Sequence, residues 1–139
     1  MTQLTEAAQL LVSCWALATD QERIPTSHGL LDQALKVAFD SGAFPAWLRE
    51  RLHFVDARMG LECVELPAIL NRAQEALLTV NPNPSYQYTQ VRIKKDLAKE
   101  LLSELEVSEH DAAEWGKVLY ETVKHAEQDA RAIEVGAYS

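Results

Sequence analysis

The segment Asn81-Pro82-Asn83-Pro84-Ser85-Tyr86-Gln87-Tyr88 divides the chain into two parts with different predicted structures. Proline has no backbone N–H and pushes the residue before it towards extended geometry, so two Asn-Pro pairs end a helix that arrives from either side. We predict four helices before this segment, and a short strand and two helices after it. Residues 81–87 are therefore expected to form a hinge within one helical domain of residues 1–139.

Before the hinge, apolar residues recur at helical spacing in four stretches. The predicted helices cover about residues 5–19, 27–40, 45–59 and 67–80. The first is apolar around most of its circumference, which is typical of a central helix or of half an oligomer interface. Residues 61–66 form a short apolar segment. Its pattern is compatible with a loop, a helical turn or a brief strand.

After the hinge, residues 88–93 alternate between apolar and polar side chains, which predicts a strand. Two helices are predicted at about residues 95–105 and 108–133, and Ser108 is the expected N-cap of the second. The predicted fold class is therefore mainly α. We expect a compact helical bundle of about six helices, with at most one short strand near residues 88–93.

The helical stripes also predict which large side chains are buried. Each predicted helix contributes one, and we expect truncation of any of the leucines to destabilise the fold by about 2–5 kcal/mol. The predicted core residues are Trp15, Leu35, Leu52, Leu77, Leu101 and Leu119.

Composition indicates an acidic protein that is neither secreted nor inserted in a membrane. Its 13 basic and 21 acidic residues give a net charge of -8, so a globally basic nucleic-acid surface is absent. Cys14 and Cys63 have no metal-binding or redox spacing, and we expect two reduced, buried thiols. No signal peptide or membrane span is evident, so we predict a cytoplasmic protein without a membrane partner.

No motif in the sequence assembles a recognisable catalytic, cofactor or metal site. Glu50 and His53 have the spacing of one half of a di-iron site, but that site needs a second such pair and further carboxylates. We therefore assign no catalytic, cofactor-binding or metal-binding residue and expect no cofactor. Enzymatic activity remains an open alternative that no motif supports. Tyr86 and Tyr88 follow the prolines, where we expect them to pack against the domain rather than bind a ligand.

These features favour a non-enzymatic helical interaction or regulatory protein, such as an adaptor or an accessory subunit that binds another protein. We also predict a homodimer, or an obligate complex with another chain. The first helix has more apolar surface than a small domain readily encloses, and a lone strand at residues 88–93 would pair with its copy in a second chain.

The alternative is a DNA-binding regulator. Val91-Arg92-Ile93-Lys94-Lys95-Asp96-Leu97, followed by Leu101, Leu105 and Val107-Ser108, resembles the ribbon-helix-helix DNA-binding family. The resemblance implies that a segment at about residues 88–130 forms a dimer whose paired strands enter the major groove. Gln90, Arg92 and Lys94 would then be the nucleic-acid-binding residues.

Overall fold

The computed structural model describes residues 3–20, 22–26, 29–58, 60–80 and 88–137. The hinge predicted at residues 81–87, Tyr86 and the predicted N-cap Ser27 lie outside these ranges. Within them the chain forms six helices and five strands. In chain order they are α1 (Gln3–Ala18), β1 (Arg23–Pro25), α2 (Leu30–Asp40), α3 (Ala46–Arg49), β2 (Phe54–Ala57), β3 (Gly60–Cys63), α4 (Leu66–Glu75), β4 (Thr79–Val80), β5 (Tyr88–Val91), α5 (Lys95–Glu104) and α6 (Glu109–Ala137).

The predicted fold class is wrong in its strand content. The structure is 62% helical, but 15% of it is strand, arranged in two antiparallel sheets. The predicted strand near residues 88–93 exists as β5, yet it has partners in its own chain. β1 and β4 contain three and two residues, and strands this short carry no readable alternation.

β5 is the central strand of a three-stranded sheet in the order β1-β5-β4. Ile24 pairs with Thr89 on one side of β5, and Thr79 pairs with Val91 on the other. These four side chains are buried, so they form the inner face of the sheet. Both edges of β5 are occupied. An unpaired strand is therefore no longer a reason to expect a dimer.

The third predicted helix is mostly wrong. Only Ala46–Arg49 is helical there, and Phe54–Ala57 forms β2, which pairs with β3. The Phe54 ring packs on Phe39 of α2 with centroids 5.3 Å apart, and the backbone N–H of Cys63 donates to Asp32 at 2.8 Å. Contacts with α2, distant in the sequence, therefore override the helical spacing of this segment.

α1 is enclosed by other parts of its own chain. Every residue from Leu10 to Ala16 is buried, and α1 packs against α4, α5 and α6. In its contact with α6 the two backbones approach at Gly116, where a Cβ added to the glycine would lie 2.0 Å from the carbonyl oxygen of Cys14. The Trp15 and Tyr120 rings meet edge to face beside this crossing, with centroids 5.7 Å apart. The apolar surface of α1 is thus covered without a second chain, which removes the other basis for the predicted dimer.

Three helices are followed by a residue in the left-handed conformation, and only one of these residues is glycine. Gly42, Leu77 and Glu106 follow α2, α4 and α5, and all three have a positive φ. At the end of α4, the N–H of Leu78 donates to the carbonyl of Ala73 at 2.9 Å, which is the long bond of a Schellman motif. Leu77 is 79% exposed as a result, so its predicted burial is wrong. The fourth predicted helix ends at Glu75, before the leucine that was expected in its stripe.

The remaining core predictions agree better with the structure. Trp15, Leu35, Leu52 and Leu119 are buried, whereas Leu101 is only half-buried. Ser108 caps α6, since its hydroxyl accepts a hydrogen bond from the N–H of Asp111 at 3.1 Å.

Both cysteines are free and buried, as predicted. Burial raises the pKa of the Cys63 thiol to about 11, and burial raises the pKa of Cys14 as well. Separately, none of the helices in the described ranges is sufficiently long and apolar to cross a membrane.

Candidate binding groove

A groove with a volume of about 420 Å³ lies between α4 and the three-stranded sheet. One wall is a face of α4 and the other comes from β5 and the residue after β1. We call it the neutral groove. It is lined by Thr26, Pro67, Ala68, Leu70, Asn71, Gln74 and Thr89.

The helical wall follows from the amphipathic pattern of α4. Leu66, Ile69 and Ala73 are buried, so residues on the other side of the helix face outward. Asn71 and Gln74 are exposed there and lie on adjacent turns. α4 has proline in its first turn, where the missing N–H leaves no helical hydrogen bond unmade, and this proline lines the groove.

The sheet wall is formed by residues from two distant segments. Thr89 belongs to β5 and is buried, and its hydroxyl donates to the carbonyl of Val80 at 3.4 Å. Thr26 directly follows β1, which is the other neighbour of β5. Pairing of β1 with β5 therefore brings the two hydroxyl-bearing residues to one side of the groove.

The lining of the neutral groove mixes polar and apolar side chains. Its polar groups are hydroxyls and side-chain amides, which both donate and accept hydrogen bonds, and its other side chains are apolar. Its volume lies in the usual range for ligand sites, where a few polar groups among apolar ones fix the orientation of the ligand. None of the described lining side chains is a carboxylate, an imidazole, a thiol or an amine.

A second, smaller cleft of about 270 Å³ lies where α1 ends and α5 begins. Its charged residues are Asp20, Glu22, Arg92, Lys94 and Lys95. Lys95 pairs with Asp20 at 3.1 Å, whereas the exposed Arg92 and Lys94 form no ion pair with any described residue.

The structure brings together two of the three residues predicted for DNA binding. Arg92 and Lys94 both line the smaller cleft, beyond the end of β5. Gln90 lies within β5, half-buried, opposite Arg23 and Val80. The central position of β5 also leaves no edge for the paired-strand arrangement that the ribbon-helix-helix resemblance implies.

Two other candidate groups from the sequence have local roles. Tyr88 is half-buried, and the guanidinium of Arg23 lies 4.5 Å from the centre of its ring. The Nδ1 atom of His53 lies 2.7 Å from a carboxylate oxygen of Glu65, and Glu50 is exposed. Within the described ranges, no three or more His, Cys, Asp or Glu side chains are grouped as a metal ion would require.

Sequence reasoning assigned no role to any residue of the neutral groove. The only available signal was the spacing of Pro67, Asn71 and Gln74, which places them on one side of a helix. Thr26 and Thr89 are far apart in the sequence, and their proximity depends on a strand that was not predicted.

Comparisons of the chain with protein-family models, with curated proteins and with solved structures found no match.

Proposed function

We propose that this chain is a non-enzymatic interaction protein, an adaptor or accessory subunit, that binds an uncharged segment of a partner protein in the neutral groove. The observation that supports the proposal is the lining of this groove, whose described residues combine amide and hydroxyl groups with apolar side chains and carry no charge. The buried free thiols suit a reducing compartment, so the proposal includes a cytoplasmic location.

An extended peptide matches this lining because its backbone alternates N–H donors and C=O acceptors. The side-chain amide of Asn71 offers both kinds of group, and Leu70 offers an apolar contact for a side chain of the segment. The net charge of -8 also disfavours a polyanionic ligand.

Filling the groove tests the proposal. Ala68 is exposed on the helical wall, so Ala68→Trp should occlude the groove with little effect on stability. Ala46→Trp is the matched control, because Ala46 is also exposed and helical but does not line the groove. The wild type and both variants are immobilised, exposed to extract of the native host, and their bound proteins are quantified by mass spectrometry.

We expect a protein that is retained by the wild type and by Ala46→Trp and is lost with Ala68→Trp. Its binding segment, made as a peptide, should bind the wild type in solution and should bind Ala68→Trp about tenfold more weakly or worse. Equal retention by all three proteins, or no retained protein, contradicts the proposed function.

The alternative is a nucleic-acid-binding regulator, and one observation favours it. Arg92 and Lys94 are exposed cations beside one cleft and have no described acidic partner. Real binding to duplex DNA weakens steeply with salt, because neutralised phosphates release counterions. This alternative requires salt-dependent retention on duplex DNA that falls in Arg92→Ala and Lys94→Ala, and no retention at low salt rejects it.

A further inference from the structure

α5 has one buried face and a partly exposed flank beside it. Ala98 and Leu102 are fully buried, and α5 packs mainly against α1. On the flank, Leu97 is 42% exposed, and Leu101 is half-buried because part of its side chain packs against the core. A single exposed leucine is common on protein surfaces, so the charges beside it are needed to indicate a partner.

This flank of α5 carries opposite charges at its two ends. Lys94, Leu97, Leu101 and Glu104 are spaced by three, four and three residues, so they form one stripe along the helix. Lys94 and Glu104 are both exposed, and about 15 Å separates their positions along the axis. We call these four residues the α5 stripe.

The charges of the α5 stripe oppose the dipole of their own helix. Lys94 is the N-cap, at the positive end of the dipole, and Glu104 is the last residue, at the negative end. The other lysines of α5 have acidic partners within the chain, since Lys95 pairs with Asp20 and Lys99 with Glu109 at 3.7 Å. Lys94 and Glu104 have no such ion pair among the described residues.

We propose that two copies of this chain associate through the α5 stripe, with their α5 helices antiparallel about a two-fold axis. In this arrangement Lys94 faces the partner's Glu104, and Leu97 faces the partner's Leu101. The stripe is self-complementary, as a two-fold interface requires, because each pair occurs twice. Each unfavourable helix-end charge then lies beside an opposite charge and an opposite dipole end.

One neighbouring residue weakens this contact. Glu100 flanks the stripe near the two-fold axis, where it meets the partner's Glu100, and this like-charge pair weakens the association.

The proposed interface is independent of the neutral groove, because none of its residues lines that groove. Paired helices of ten residues each bury less area than a standard stable interface. The association should accordingly be weak, and it should become visible as the concentration rises.

Charge exchange provides the test, measured by sedimentation velocity of the full chain over a concentration series. Lys94→Glu and Glu104→Lys should each weaken dimerisation by about tenfold or more, because each puts two like-charge pairs across the axis. The combined Lys94→Glu/Glu104→Lys variant restores opposite charges at both contacts, so dimerisation should return. Lys117→Glu and Glu121→Lys, at exposed positions of α6, are the matched controls and should dimerise as the wild type does.

Several results overturn the proposal. A wild type that remains a 15.6 kDa species at every concentration excludes the dimer. A dimer that is indifferent to both single variants, or that the combined variant fails to restore, does not use the α5 stripe. Circular dichroism on each variant confirms that its fold is retained.

Discussion

α1 packs differently against α6 on one side and against α5 on the other. On the α6 side, Gly116 removes the side chain at the crossing and the two backbones come into direct contact. On the α5 side, Ala98 and Leu102 fill the contact with α1, but Leu97 at the edge of this contact stays accessible. The first contact is closed within one chain, whereas the second leaves an apolar and charged surface exposed, which we propose as the dimer interface. Sequence amphipathicity alone does not distinguish the two.

The largest effect is expected from Gly116→Ala. The added Cβ would lie 2.0 Å from the carbonyl oxygen of Cys14, which is backbone and has no rotamer to change. We expect a loss of about 3 kcal/mol or more in the free energy of unfolding, since α1 and α6 must move apart. Urea denaturation measures it, with the exposed neighbour change Lys117→Ala as the control. Equal stability of the two variants would mean that the helices cross elsewhere.

The two faces of α5 should respond differently to the same truncation. Leu102→Ala opens a cavity against α1, and we expect a loss of about 2–5 kcal/mol in unfolding free energy. Leu97→Ala should cost less than about 1 kcal/mol in a dilute sample, because the side chain is 42% exposed. Chemical denaturation of both variants at low concentration provides the comparison. Similar losses would reverse the assignment of the buried and open faces.

A smaller effect of the opposite sign is expected from Thr79→Val. The Thr79 hydroxyl is buried in the sheet and has no hydrogen-bond partner among the described residues. Valine has nearly the same shape without the polar group, so we expect a gain of about 1 kcal/mol in stability. Thr89→Val is the matched change, and it should gain less because it removes a bond to the Val80 carbonyl. Thermal melts rank the two variants, and destabilisation by Thr79→Val would reveal a partner for its hydroxyl.

The smallest change in stability is expected at Leu77. Its φ of 62° is in the left-handed region, where leucine is strained and glycine is not. Leu77→Gly should therefore stabilise the fold by about 0.5 kcal/mol. Glu106→Gly relieves a similar conformation at the end of α5 and is the control for the backbone effect. If Leu77→Gly destabilises the monomer, this leucine has a structural role within the chain.

The helices were predictable where the apolar pattern was long, and the sheets were not. α1, α2, α5 and α6 follow repeated stripes, and Ser108 marks the start of α6 correctly. The segment around Leu52 and Val55 also has helical spacing, but its structure is decided by contacts with α2. β1 and β4 are too short to show a period, so the strand order β1-β5-β4 had no sequence signal.

The candidate sites were less accessible to sequence reasoning for a related reason. The neutral groove depends on strand pairing that joins Thr26 to Thr89, and neither threonine is distinctive by itself. The spacing of the α5 stripe was visible in the sequence. Its exposure, however, depends on which face of α5 packs against α1. The predicted homodimer stays a proposal, and it now rests on α5 rather than on α1 or an unpaired strand.

Site-directed cross-linking tests the open face of α5 most directly. In the proposed antiparallel pair, residue 100 lies next to its copy at the two-fold axis, whereas the two copies of residue 103 are offset by about 12 Å along the helices. Glu100→Cys and Ser103→Cys both introduce an exposed thiol, and the native cysteines are buried. With a short bismaleimide, we expect Glu100→Cys to form a covalent dimer rapidly and Ser103→Cys to form little. Equal yields from the two variants, or a higher yield from Ser103→Cys, would contradict the antiparallel α5 interface.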